Sequence, residues 1–314
     1  MAMFRIGIDL GGTKIEAAAL DEGGAMHRRQ RIPTPIGDYA GTIAAIGALV
    51  GRIEGEIGPA ASVGIAIPGT LVVETGLVKN ANSVWLNGRP LGRDLEAALG
   101  RPVRFANDAN CFALSEAADG AAAGCGIVFG VILGTGCGGG VVVGGRVLVG
   151  ANAIAGEWGH NPLPAPRLGG LGEEWPGPPC YCGRTGCIET FLSGPGLAAD
   201  HRRHAGPAVH GQALDGPTIV AGATTGDSSC RATLDRYAER LARALAGVIN
   251  ILDPEAIVLG GGLSTMRHLY EDVPRLWGRH IISDTIATRL LPPMHGDSSG
   301  VRGAAWLWRP EDLV

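Results

Sequence analysis

Hydrophobic and polar positions along this chain alternate between two periods. Residues 4–9 form a β-rich run that ends at Gly11-Gly12, 15–20 a second run that closes on the turn 21–24, and 27–32 a third. This pattern predicts a hairpin extended by a third strand. Across 39–57 the period changes, and Ile43, Ile46, Leu49, Val50 and Ile53 recur at helical spacing. A buried-type strand over 62–67 stops at Pro68-Gly69. A helix over 91–99 ended by Gly100, a strand over 103–106 and a helix over 109–118 ended by Gly120 follow.

The opening order then returns. A strand over 127–133, a glycine-rich turn over 134–140, a strand over 141–143, a turn at Gly144-Gly145 and a strand over 146–149 repeat it, starting about 120 residues downstream. Two copies of one supersecondary unit predict two α/β domains around a cleft. The expected division is an N-terminal domain over 1–120, completed by a C-terminal helix near 303–314, and a larger domain over 121–302. Within the latter come a Pro/Gly/Cys-rich loop over 161–186, a mostly polar connection over 204–229 and a long helix over 232–252. That helix carries Leu234, Tyr237, Leu241, Leu245, Val248, Ile249 and Leu252 on one face. A strand over 256–259, a turn at 260–262 and a closing helix over 303–308 complete the prediction.

Composition refines this picture. There are 52 glycines and 20 prolines in 314 residues, close to the roughly 25–30% that accompanies disorder. Yet the hydrophobic set is 46%, and the glycines cluster between Val/Ile runs, which marks tight turns where the backbone approaches something closely. A net charge of −4 suggests neither a basic nucleic-acid surface nor an acidic tail. Arg5 and Asp9 interrupt the first apolar run, so it does not read as a secretory signal core. The longest uncharged stretch, 121–145, holds ten glycines in 25 residues and reads as strand–turn–strand, not a membrane helix. A cytoplasmic protein with no membrane and no nucleic-acid partner is expected. Seven cysteines without a secretory signal point to a metal before disulfides.

Candidate chemistry concentrates in the glycine clusters. In Asp9-Leu-Gly-Gly-Thr-Lys14, Gly11 and Gly12 let backbone N–H groups approach a phosphate, and Thr13 and Lys14 add donors. No Walker A order is present and no helix follows, so an ordinary hairpin turn is the alternative. Asp9 at the strand end suits a Mg²⁺ contact through water. Gly134-Thr-Gly136-Cys-Gly-Gly139 matches the dinucleotide fingerprint in form, but a strand follows where that fingerprint requires a helix. A second phosphate hairpin fits better. Gly260-Gly-Gly-Leu-Ser264 is either a strand-to-helix turn or a close approach to a flat ligand such as adenine. Asp108, where a strand meets a helix, either caps that helix or is a general base at strand ends that gather ligands. His160, Cys180, Cys182 and Cys187 offer one imidazole and three thiolates, a zinc set able to order a loop with few apolar groups.

Together, from Asp9-Leu-Gly-Gly-Thr-Lys14 to the terminal Gly303-Ala-Ala, these segments resemble the ROK family (repressors, open reading frames, sugar kinases). Glu157…His160 and Cys180/Cys182/Cys187/Glu189 carry the resemblance most specifically. It implies an actin-like, hexokinase-type ATPase fold and an ATP-dependent hexose kinase that uses Mg²⁺, holds a structural zinc and forms a homodimer. On this resemblance Asp108 is the catalytic base. Asn82, Asn107, Glu157, His160 and Glu189 hold sugar hydroxyls, and His160 also ligates zinc. Gly11, Gly12, Thr13 and Lys14 hold phosphates, as do Gly134, Thr135, Gly136 and Gly138, while Gly261 and Gly262 lie near the adenosine.

Within the family, Lys79-Asn-Ala-Asn-Ser-Val-Trp85, Gly156-Glu-Trp-Gly-His-Asn-Pro-Leu-Pro164 and Pro179-Cys-Tyr-Cys-Gly183 resemble the bacterial fructokinase (manno/fructokinase) branch. That implies conversion of D-fructose to fructose 6-phosphate, with mannokinase, glucokinase and N-acetylhexosamine kinase as alternatives. His160 and Cys180 lie 20 apart, an insertion relative to the glucokinase pattern that carries Trp175 and argues against glucose as main substrate. The rival class, a sugar-sensing repressor, needs a helix-turn-helix. Only eight residues precede Asp9, so specific DNA binding is not expected.

Overall fold

The computed structural model describes residues 3–167, 174–205 and 214–312. Parts of the predicted loop 161–186 and connection 204–229 (168–173 and 206–213) lie outside the described residues. The chain divides into two units. The first is Met1–Gly124, Gly140–Ala155 and Met294–Val314, and the second is Cys125–Gly139 and Gly156–Pro293. The division differs from the expected one in that 121–124, 140–155 and 294–302 go with the first unit.

The first unit opens with β1 (Arg5–Leu10), β2 (Lys14–Leu20), β3 (Met26–Pro33), α1 (Tyr39–Ile57) and β4 (Ser62–Ile67). A small hairpin of β5 (Thr70–Leu71) and β6 (Val78–Lys79) follows, then α2 (Leu91–Leu99), β7 (Val103–Asn107) and α3 (Asp108–Ala118). The sheet order is β3-β2-β1-β4-β7, with β1 antiparallel to β2 but parallel to β4, and β4 parallel to β7. Asp38 starts α1 by accepting the Gly41 N–H. The helix then buries Ile46, Leu49, Val50 and Ile53 in one core with Ile6, Ile8 and Ile65, as its spacing predicts.

Next come β8 (Ile127–Leu133), β9 (Cys137–Val143), β10 (Arg146–Val147), α4 (Glu189–Leu192), α5 (Gly194–Ala205), α6 (Gly216–Thr224) and α7 (Ser228–Leu252). The last elements are β11 (Ala256–Gly260), α8 (Leu269–Trp277), β12 (Arg289–Leu291) and α9 (Ser299–Trp306). The second sheet runs β10-β9-β8-β11-β12, the same order by rank as the first, which is the predicted repeat. Among the described residues no helix is long and apolar enough to cross a membrane.

Several boundaries move for physical reasons. β9 begins at Cys137, inside the predicted turn, because ladder pairing overrides the low strand propensity of glycine. The long helix starts at Ser228, where Asp227 accepts the Ser229 and Cys230 N–H groups. The polar connection holds α6, whose start signals were present: Asp215 accepts from Thr218 N, and a proline stands in the first turn. The closing helix begins at Ser299 instead of 303.

Helix α9 lies directly on the first unit's backbone. A Cβ at Gly7 would stand 1.9 Å from Val301 O, one at Gly64 1.9 Å from Ala304 O, and one at Gly303 1.7 Å from Cys111 O. By contrast, a Cβ at Gly47, within α1, would meet nothing within 4 Å. Gly303→Ala should therefore destabilise by at least ~2 kcal/mol through overpacking. Gly47→Ala should stabilise by ~0.5–1 kcal/mol through helix propensity. Urea unfolding of the two variants checks this opposition of sign.

Candidate active site

In the first unit the parallel strands set the geometry. Asp9 pairs with Ala66, and Ala66 with Ala106, so β1 and β7 bring Asp9 and Asn107-Asp108 to the carboxyl end of the parallel strands. β7 runs into α3 without a loop. Asn107 is the N-cap, and its Oδ1 accepts from Asn110 N at 2.7 Å. The capping role considered for Asp108 thus belongs to Asn107, which keeps its amide NH₂ as the group to offer a ligand. Asp108 is the first helical residue, and its Oδ1 accepts from Ala109 N at 2.8 Å.

Both carboxyls resist ionisation. Asp108 keeps solvent access, yet protein surrounds it closely enough that desolvation raises its pKa, against the opposing Ala109 N–H. Asp9 is pushed up to about 6, by burial first and then by the charges of Asp108 and Glu16, with Lys14 and Arg31 opposing. This concentration of negative charge is what a divalent cation or a transferred proton relieves. Beside it, the Gly11-Gly12 turn closes with Gly11 N donating to Lys14 O at 3.0 Å. Thr34 braces it, its hydroxyl donating to Gly11 O at 2.7 Å and its N–H to Thr13 O at 3.0 Å. Thr13, Lys14 and Asn82 are exposed.

The second unit carries the other glycine loop. Gly134 N donates to Gly136 O at 3.0 Å, and Gly194 N to Gly134 O at 2.8 Å. Glu189 Oε2 accepts from Cys137 N at 2.9 Å, and Trp158 Nε1 donates to Gly138 O at 3.1 Å. Glu157 is exposed. A cavity of about 590 Å³ is lined by Gly134, Thr135, Pro195, Pro217, Val220, Gly262, Leu263 and Met266, a mostly apolar pocket of ligand size. Gly261 has a left-handed backbone, φ 78°, and a Cβ there would meet Leu133 O at 2.4 Å. The turn itself therefore requires Gly261, while Gly262 reaches the cavity.

His160, Cys180, Cys182 and Cys187 converge, with one ligand atom from each lying within 4.8 Å of all the others. His160 Nδ1 is 3.5 Å from Cys180 Sγ, and Cys182 Sγ is 3.7 Å from Cys187 Sγ. A tetrahedron with Zn–S of ~2.3 Å and Zn–N of ~2.0–2.1 Å has edges of about 3.8 Å (S–S) and about 3.5 Å (N–S). These four residues could hold such an ion. His160 Nε2 lies 2.9 Å from the exposed Tyr181 hydroxyl.

Sequence reasoning missed the anchor of the insertion between His160 and Cys180. Buried Glu174 pairs with Arg240 and Arg243, each at 2.8 Å, and Arg240 also reaches Asp200 at 2.7 Å. Arg243 donates to the carbonyls of Pro164 and Ala165. The available signal was two arginines three apart on the buried side of α7. Trp175 itself is exposed.

The duplicated sheets, the paired glycine loops and the carboxylates at the strand ends define a sugar kinase of actin-like, hexokinase-type architecture. The chain belongs to the ROK family, whose model matches residues 5–311. An N-acetyl-D-glucosamine kinase of Escherichia coli O127:H6 is 40% identical over 301 residues, 96% of this chain and 98% of that protein. The crystal structure of a ROK hexokinase from Thermus thermophilus superposes with a TM-score of 0.84 at 31% identity, covering 97% of both chains. A ROK family glucokinase from Streptomyces griseus, in complex with glucose and AMPPNP, gives 0.74 at 29% identity, covering 96% of this chain and 98% of that one.

The cap assignment makes a stability test. Asn107→Ala should cost about 1 kcal/mol. Asp108→Asn should leave the melting temperature unchanged or higher. A carboxyl whose pKa rises on folding opposes folding wherever it is ionised, so removing its charge at neutral pH removes a penalty. Thermal melts at pH 7 read both.

Proposed function

We propose that this chain is an ATP-dependent kinase that phosphorylates the 6-hydroxyl of N-acetyl-D-glucosamine. The observation that carries this reading is the 40% identity with an N-acetyl-D-glucosamine kinase across 96% of the chain. D-fructose, implied by the branch resemblance, becomes the alternative acceptor. The AMPPNP bound in the Streptomyces griseus relative supports ATP as donor.

In this reading Asp108 takes the proton from the 6-hydroxyl, and its raised pKa brings it nearer the working pH, where a general base is most effective. Asn82, Asn107, Glu157, His160 and Glu189 are the residues assigned to the remaining hydroxyls. The loops 11–14 and 134–138 supply N–H donors to the phosphates, and the cavity beside Gly262 takes the adenosine. Asp9 would hold Mg²⁺ through water, and the ion would offset charge on the transferring phosphoryl. Most of the rate gain then comes from positioning. Zinc on His160, Cys180, Cys182 and Cys187 would be structural, because four protein ligands leave no open position.

The deciding experiment is an ADP-release assay over N-acetylglucosamine, N-acetylmannosamine, glucose, mannose and fructose. N-acetylglucosamine should give the highest kcat/KM, and a higher value for fructose would overturn the acceptor assignment. Asp108→Asn, folded and nucleotide-binding, should lose at least ~10²-fold in kcat. Metal analysis should return one zinc per chain. Cys182→Ser should lose that zinc and melt at a lower temperature.

A further inference from the structure

The loop 134–138 contains Gly134, Gly136 and Gly138, and glycine loses more backbone freedom on ordering than any other residue. Such a loop keeps a phosphate-ready shape only if something outside it holds it. Two of its outside tethers come from one short stretch of chain. Glu189, the first residue of α4, accepts the Cys137 N–H at 2.9 Å. Gly194, the first residue of α5, donates to Gly134 O at 2.8 Å. The stretch from Glu189 to Gly194, the whole of α4 and the start of α5, therefore holds both ends of Gly134–Cys137. The fit at Gly136 is close, since a Cβ there would stand 2.8 Å from Glu189 Oε2. A carboxylate accepting a backbone N–H makes a charge-assisted bond, about twice as strong as a neutral one.

We propose that Glu189 is a positioning residue for the nucleotide, in addition to the sugar contact assigned to it above: one carboxylate oxygen fixes the phosphate loop and the other is left for a sugar hydroxyl. This inference rests on the kinase reading. It places the control of the nucleotide loop two residues after Cys187, in the cluster proposed to hold zinc. It also removes the Cys137 N–H from the set of phosphate donors. Sugar engaging Glu189 would stiffen the loop through the shared carboxylate, so the two substrates should bind synergistically.

The test measures AMPPNP affinity by calorimetry without any sugar, on wild type, Glu189→Ala and Glu189→Gln. Glutamine keeps the length and a carbonyl acceptor, whereas alanine removes the tether. If the inference holds, Glu189→Ala weakens sugar-free AMPPNP binding about tenfold, the loss of one hydrogen bond to a charged group, while Glu189→Gln recovers most of it. If Glu189 only touches sugar, both variants raise the sugar KM and leave sugar-free AMPPNP affinity within about twofold of wild type, which overturns the proposal. Zinc content and melting temperature report whether Glu189→Ala folds. If it does not, Glu189→Asp, which keeps the charge but withdraws the oxygen from Cys137 N, gives the same two-way readout. Wild type that fails to bind AMPPNP would instead refute the kinase reading itself.

Discussion

Helix α9 rests against the backbone of β1, β4 and α3 because the points of closest approach carry no side chain. Gly7, Gly64 and Gly303 each remove a Cβ that would collide with a carbonyl oxygen. Much of the first unit follows from that seat. The buried Arg5 guanidinium stacks over the Trp306 ring, 4.6 Å from its centroid, and burial lowers its pKa. Glu116 on α3 accepts from the N–H groups of Ala121, Met294 and His295 and from the Ser299 hydroxyl, tying α3 to the start of α9. Asp119 adds His295 and Arg302 to the same seam. The helix also walls the carboxylate expected to meet the cation, since a Cβ at Gly300 would come within 2.8 Å of Asp9 Oδ2.

The two units arrange charge in opposite ways. In the first, Asp9 and Asp108 are held near each other with burial working against ionisation, so folding maintains a local excess of negative potential. In the second, Glu174 and Asp200 are neutralised by Arg236, Arg240 and Arg243, and their pKa values are lowered. Burial there also disfavours the charged state, and the ion pairs and hydrogen bonds outweigh it only together, which makes the cluster sensitive to loss of any one member. One arrangement suits chemistry on a ligand; the other fixes an insertion that has little apolar surface to bury.

The repeat, the first sheet and α1 were legible because their information is local: strands bounded by glycine turns, and Ile46, Leu49, Val50 and Ile53 at helical spacing. The Cys₃His convergence was legible for the same reason, since metal-ligand residue types are rare enough to stand out. What escaped depended on partners far along the chain. The cap of α3 went to Asn107 instead of Asp108 because strand pairing runs through Ile67↔Asn107 before the helix starts. Glu174 gave no periodic signal, because its meaning comes from Arg240 and Arg243 on α7. Residues 140–155 looked like part of the second domain because the repeat was read as a boundary, while the packing of that hairpin decides otherwise. Gly261 was legible as a turn, but its collision with Leu133 O is invisible without β8 beside it.

The order of elements along the chain gives the glycine seat of α9 a consequence for biogenesis. The first unit's strands leave the ribosome early, whereas the helix that covers their Gly7 and Gly64 surface is made only after the whole second unit. Until then that face of the nascent sheet stays uncovered. Closure of the first unit therefore waits for synthesis of the second, which has the opportunity to fold first. A translation stall or truncation before residue 299 would release a second unit with its own core intact and a first unit unable to close.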